Sequence, residues 1–308
     1  MDVLLIFRQM LVMLFLLVAG VIAAKAGVMD GETTKRFTNF NLLIPQTCMI
    51  LSSILGADID VPPLRVLGIL GTGVIMYAIL VALGMLAPQV YRCPQSDKGV
   101  YSFMTIFGNV GFMGIPVAGA LFGSAASLYA ALLNIPFNLL AYTFGIALLS
   151  YKGGEREPIH WKLLLNVPLI ASAASIALLC FHVKLTGPFG QAVDMLGDMI
   201  LPSSMVIIGA TLGQQNLKEV FGDWRVYLFA PMRLVVVPVV LWAILHLFVK
   251  DSVFLVTMTL QGAMPVAAFA TMLSIQYGGN VQLASKTVLV TTVLSVITIP
   301  LVVGLLPL

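Results

Sequence analysis

Two long apolar stretches of this chain are interrupted by the same three residues, Pro-Val-Ala. The first interruption reads Gly108-Asn109-Val110-Gly111-Phe112-Met113-Gly114-Ile115-Pro116-Val117-Ala118. The second reads Thr259-Leu260-Gln261-Gly262-Ala263-Met264-Pro265-Val266-Ala267. Proline inside a helix removes one backbone hydrogen bond and clashes with the carbonyl four residues back. Hydrocarbon cannot satisfy the backbone groups that this releases. A broken membrane span therefore persists only where protein or a water-filled cavity covers it.

The setting is a membrane protein. Of 308 residues, 60% are hydrophobic and 9% are charged, whereas soluble domains carry about 25% charged residues. A helix needs about 20 apolar residues to cross a bilayer. Ten stretches fit that length: 3–24, 38–56, 64–87, 98–122, 124–150, 163–181, 189–213, 224–249, 252–276 and 281–306. Val3 to Ala24 reads as a span and not a cleaved signal, because Asp2 precedes it, no basic segment opens it and Arg8 interrupts it. The fourth and fifth spans are joined only by Gly123-Ser124.

Several function classes drop out. No basic cluster is interleaved with aromatics, which argues against nucleic acid as a partner. Cys48, Cys93 and Cys180 form no metal-type pair and read as apolar fillers. There is no nucleophile–base pair in sequence context and no P-loop, so the chain is not expected to be an enzyme or to use ATP directly.

Lys and Arg near span ends set the orientation. With the N-terminus outside, Lys25, Lys35, Arg36, Arg92, Lys98, Lys152, Arg156, Lys162, Lys218 and Arg225 are cytoplasmic, and Arg8, Arg65, Lys184 and Lys250 are external. That is ten against four, with both termini on the outer side. Two halves of five spans are then inverted relative to each other. Aligning Pro45 with Pro202 places Leu55-Gly56 on Leu212-Gly213, then Arg65-Val66 near Arg225-Val226, then one Pro-Val-Ala break on the other. The expected organisation is a first repeat at 1–150, a cytoplasmic linker at 151–162 and a second repeat at 163–308. Gly/Pro-interrupted spans at matching positions of two such halves point to a binding site near the midplane.

If Pro116 and Pro265 open new half-helices, the N–H groups of Val117 and Ala118, and of Val266 and Ala267, are free. Each helix start carries a partial positive charge, and two meeting at mid-membrane favour an anion. The preceding half-helices end in free carbonyls, which suit a cation or an N–H donor. Depth is awkward at the first break, because some 18 residues separate Lys98 from Pro116, more than half a bilayer at about 1.5 Å per residue. Gly108, Gly111 and Gly114 allow close backbone approach or tight helix packing. Asn109 lies two turns before Pro116, and Gln261 lies one turn before Pro265. Amides in hydrocarbon need partners, which could be a ligand or a neighbouring helix. The same choice applies to Asn134 and Asn138, which flank Pro136. Arg233 within the eighth span either balances an anion or snorkels to the headgroups. Lys286 reads as snorkelling. Asp194 with Asp198 could form a proton relay or lie at the interface, and His246 reads as interfacial.

Several of these pieces occur together and in order: Gly108 through Pro116, Asn166-Val167-Pro168-Leu169-Ile170, Leu201-Pro202 through Gly213, Met232-Arg233-Leu234 through Pro238, Ala263-Met264-Pro265-Val266, and Tyr277-Gly278-Gly279-Asn280 through Lys286. In them the chain resembles the auxin efflux carrier family, specifically its short bacterial members, some of which are called malonate or malate permeases. The resemblance implies an all-α membrane fold of ten helices in two inverted five-helix repeats, with spans 4 and 9 unwound and crossed at Pro116 and Pro265. It implies a scaffold of spans 1, 2, 6 and 7 and a moving domain of the rest. Asn109 stands where the family's plant exporters have the asparagine that meets the substrate carboxylate. A homodimer is implied, and sodium coupling is suggested by fold similarity to bile-acid sodium symporters. The long regulatory loop of plant relatives is absent, as Tyr151 to Lys162 shows.

The expected function is that of a secondary carrier for a small organic acid anion, in a bacterial inner membrane, working by alternating access. Its expected site comprises Asn109, Gly111, Pro116, Val117, Gln261, Pro265, Val266, Asn138 and Arg233. No cofactor is expected beyond a coupling H+ or Na+. A passive anion channel and a non-transporting carboxylate sensor are the alternatives.

Overall fold

The computed structural model describes residues 3–55, 62–150, 167–180, 185–214 and 224–305, and all regular structure in them is helical. The expected linker 151–162 lies outside these residues, as do Lys184, Lys218 and Asn166. Five helical stretches among the described residues are long and apolar enough to cross a membrane: Leu64–Val90, Ser124–Leu149, Gly187–Gly213, Trp224–Leu245 and Val281–Leu305.

In chain order the helices are α1 (Val3–Lys25), α2 (Gly31–Leu43), α3 (Pro45–Leu55), α4 (Pro63–Val90), α5 (Lys98–Ile106), α6 (Ile115–Phe122), α7 (Ser124–Leu140), α8 (Ile146–Leu149), α9 (Val167–Cys180), α10 (Gly187–Asp198), α11 (Ile200–Gly213), α12 (Trp224–Pro231), α13 (Val237–Leu245), α14 (Ser252–Ala263), α15 (Phe269–Tyr277) and α16 (Val281–Leu305). Capping explains several of their starts. The Asp30 carboxylate accepts from the Thr33 N–H at 2.7 Å ahead of α2, and Asp251 accepts from the Phe254 N–H at 3.0 Å ahead of α14. Gly123, at φ +82°, turns the chain between α6 and α7 as the short connection requires.

The two positions aligned through proline are both kinked. Helix pair α2/α3 breaks at Ile44, before Pro45, and pair α10/α11 breaks at Met199, three residues before Pro202. The helix α1 lies along α11, and α3 packs against α9 and α10. Contact between α1 and α11 is backbone to backbone. A Cβ on Gly209 would stand 1.9 Å from the Leu17 carbonyl oxygen, and one on Gly20 would stand 2.2 Å from that of Val206. Small residues permit this approach, and dispersion between close backbones takes the place of hydrophobic drive in lipid.

Three wide π turns occur in the long helices, at Val110–Gly114, Ala141–Gly145 and Met232–Val236. Two of them end just before a proline, Pro116 or Pro238. The wide turn bonds the Ile115 N–H to Val110 and the Val237 N–H to Met232, which accommodates a following residue that has no N–H.

Polar clusters show which helix ends share a side. Arg65 at the start of α4 donates to the Tyr129 hydroxyl at 2.7 Å and to Asp251 at 3.3 Å, and Tyr129 donates to Asp251 at 3.0 Å. Elsewhere Asn280, before α16, donates to Asp97, before α5, at 3.0 Å.

Candidate functional site

The two broken helices meet. Between α5 and the π turn the chain is extended at Phe107 and non-helical at Asn109. Between α14 and α15 it is extended at Met264. The Asn109 N–H donates to the Pro265 carbonyl at 2.7 Å, and the Ala267 N–H donates to the Phe107 carbonyl at 3.1 Å. These reciprocal bonds form one antiparallel bridge centred on Gly108 and Val266. Each break thus satisfies backbone groups of the other, which lipid could not do.

The second break falls at Pro265, as expected. The first does not fall at Pro116. Unwinding occurs at Phe107–Asn109, and helical structure resumes with the π turn at Val110 and runs through Pro116 to Phe122. Pro116 is exposed and Val117 is buried inside α6, so neither starts the half-helix. The shift removes the difficulty of depth. Helix α5 has 9 residues and α14 has 12, so each reaches about half of a 30 Å hydrocarbon core at 1.5 Å per residue.

The donors are redistributed accordingly. The new half-helix begins at Asn109, whose carbonyl accepts from Met113 and Gly114 at 3.2 and 3.1 Å. Gly111 and Phe112, in its first turn, have no carbonyl one turn earlier in the helix to bond. At the second break the Val266 N–H is not free, because it donates to Thr291 Oγ1 at 3.2 Å, and the Ala267 N–H is held by Phe107. The two donors expected of the second break are thus used within the crossing, whereas the first-turn N–H groups of Gly111 and Phe112 border the first break.

A small cavity lies at that end. It is lined by Gln46 and Met49 of α3, the run Gly108 to Phe112, Asn134 and Phe137 of α7, and Phe269 of α15. Its volume, about 10 Å³, matches the 10–15 Å³ that one water needs. Its polar groups are amides. Asn109 is 3% exposed, Gln46 Oε1 is buried without a hydrogen-bond partner, and both amide atoms of Asn134 are equally unpaired. Unpaired buried amides are costly, and a water or another hydrogen-bonding guest in the cavity would satisfy them. Phe137 and Phe269 meet edge to face at 5.4 Å and form the apolar wall. Among the described residues, no carboxylate lines the cavity.

The other candidates are distributed around this point. Gly111 lines the cavity, where a Cβ would stand 3.4 Å from Asn134 Nδ2. Gln261 does not line it. Its side chain lies on Gly114, where a Cβ would meet the amide at 2.2 Å, and both its amide atoms are buried and unpaired. Asn138 is buried one turn beyond Asn134 with Oδ1 unpaired. Arg233 neither snorkels nor lines the cavity. It is 1% exposed, and its Nε donates to the Met104 carbonyl at 3.2 Å while Nη1 donates to the Gly262 carbonyl. Lys286 is largely buried, at 9% exposure. Asp194 and Asp198 are exposed and do not line the cavity, and Asp194 accepts from Ser52. His246 is exposed and stacked on Trp242 at 4.8 Å.

Gln46 was not among the expected site residues. A signal was present, since a glutamine in an apolar span directly follows the proline that aligns with Pro202.

Crossed, broken helices around a buried polar cavity, inside apolar spans, define a membrane transport protein rather than an enzyme. Comparison with known families agrees. A family described as membrane transport protein matches residues 5–303, and the chain belongs to this family, that of the auxin efflux carriers. It is 26% identical over 237 residues to a protein of Rhizobium meliloti (strain 1021) named "Putative malonate transporter", covering 74% of this chain and 72% of the relative. It is 25% identical over 300 residues to an uncharacterized transporter of Methanothermobacter thermautotrophicus, covering 96% of each. An uncharacterized transporter of Methanocaldococcus jannaschii is 23% identical over 302 residues, covering 94% of this chain and 96% of the relative.

Proposed function

We propose that this transporter is a secondary carrier for a small organic acid anion of the malonate type, working by alternating access through ten spans in two inverted repeats. One observation carries the reading. An acid-free cavity at the start of a half-helix is lined by amides of three different helices, two of them with unpaired atoms. A carboxylate accepts from N–H donors, and its charge is favoured at a helix start. Asn134 supplies a side-chain N–H group, Gly111 and Phe112 supply backbone ones, Asn109 stands at the junction, and Gln46, whose unpaired atom is the acceptor Oε1, donates only once its amide turns over. The relative named for malonate supports a short dicarboxylate over an aromatic acid. The matched kinks at Ile44 and Met199 and the matched breaks of spans 4 and 9 support the repeat. A cavity the size of one water corresponds to a contracted state, and the site must widen to admit an acid.

Counterflow of radiolabelled malonate into proteoliposomes tests the reading. Saturable uptake stimulated by malonate inside is expected, and Asn109→Ala should weaken it with expression intact. Non-saturating flux without trans-stimulation would mean a channel. Thermal stabilisation by carboxylates without flux would mean a sensor. Neither saturable uptake nor stabilisation across a panel of mono- and dicarboxylates would defeat the anion assignment.

A further inference from the structure

Arg233 lies deep in the bundle, in the π turn between α12 and α13. The two carbonyls it holds are a matched pair. Met104 is two residues from the end of α5, and Gly262 is one residue from the end of α14. These are the last turns of the two half-helices that stop at the crossing, where carbonyls lack helical partners and the partial charge is negative. The remaining nitrogen, Nη2, is buried and has no partner, and a Cβ on Gly108 would stand 2.5 Å from it. Gly108 precedes Asn109, so the guanidinium backs directly onto the crossing. No ion pair joins Arg233 to a carboxylate among the described residues, and the ionisable groups facing it are the phenols of Tyr77 and Tyr91.

Carriers built on broken helices commonly bind Na+ or H+ through such carbonyl ends. Here those ends receive the guanidinium. We propose that Arg233 is a resident cation that stands in for a coupling sodium at the carbonyl ends of both half-helices, and that anion exchange by this carrier needs no sodium. This rests on the carrier reading above. The arginine is a positioning residue, because it fixes both half-helix ends and puts a permanent positive charge behind the crossing without entering the cavity. A buried cation with no carboxylate partner is expensive. Two carbonyl ends offset part of that, and an anion arriving on the far side of Gly108 offsets more.

The experiment is malonate counterflow in proteoliposomes with sodium chloride or choline chloride on both sides, together with thermal unfolding of the purified protein in the same salts. Wild-type exchange and unfolding midpoint are expected to be the same in both. Arg233→Ala opens the carbonyl ends, and its exchange in choline should fall by at least about tenfold, the loss of one hydrogen bond to a charged group. Sodium or millimolar guanidinium should restore part of that exchange and raise the midpoint of the variant, but not of the wild type. Arg233→Lys should retain more exchange than Arg233→Ala in choline. Wild-type exchange that requires sodium would overturn the proposal. So would an Arg233→Ala protein that exchanges normally in choline, or one that folds but ignores both cations. If Arg233→Ala does not fold, the wild-type salt comparison and Arg233→Lys still decide. If no carboxylate is exchanged by the wild type, the carrier reading has failed, and the salt dependence of the unfolding midpoints tests the cation site alone.

Discussion

Replacing Asn134 by leucine should make the protein more stable and a poorer transporter. Both amide atoms of Asn134 are buried and without partners. An unsatisfied buried polar group costs about 1–3 kcal/mol. Taking the lower figure for each of the two atoms gives about 2 kcal/mol, which leucine relieves with the same branched shape and the same number of heavy atoms. At 1.4 kcal/mol per factor of ten, the folded-to-unfolded ratio should rise by about 30-fold. Binding moves the other way. One lost hydrogen bond to a charged ligand is worth about 1.5–3 kcal/mol, or about 10- to 150-fold in apparent affinity. Equilibrium denaturation in mixed micelles reads the first quantity and malonate counterflow reads the second. A leucine variant that is less stable than wild type, or that transports with unchanged affinity, would refute the argument that this amide is kept unpaired for a ligand.

Substitutions at three further positions test the frame around the site. Gly209→Ala drives a methyl group into the Leu17 carbonyl. It should lower stability by about 1–3 kcal/mol through overpacking, seen as an earlier thermal midpoint; an unchanged midpoint would mean that α1 and α11 are not in backbone contact. Thr291→Val removes the acceptor of the Val266 N–H and should destabilise by about 1–3 kcal/mol, the loss for an orphaned buried donor. Thr291→Ser should restore most of that in the same denaturation assay. Asp251→Ala removes both the cap of α14 and the acceptor of Arg65 and Tyr129 and should destabilise by about 0.5–2 kcal/mol, while Asp251→Asn, which still caps but loses the Arg65 ion pair, should fall between that variant and wild type.

Local chemistry in the sequence was sufficient to identify a membrane protein of apolar helices, two of them broken. Charge is so sparse that only apolar helices fit the chain, and hydrocarbon forbids unpaired backbone, so every segment between turns had to be helical. Pro265 marked a break, and the alignment of Pro45 with Pro202 paired two positions beside which the structure interrupts a helix, at Ile44 and Met199. A position of the first break seven residues before Pro116 was not legible, because a missing N–H can be accommodated in two ways. The chain can stop being helical there, or it can widen one turn and continue. Tertiary contact chose between them, since only unwinding at Phe107–Asn109 lets that strand pair with Pro265–Ala267. The same pairing used up the Val266 and Ala267 donors that the sequence left free. Residues far apart in the chain also acquire their roles only through packing. Gln46 joins Asn134 because α3 passes the start of the Val110 turn, and Arg233 turns away from the lipid because two helix ends present carbonyls to it at once. Periodicity and polarity act within a segment and can be read along it, whereas the partner of a buried donor is a property of the assembled bundle.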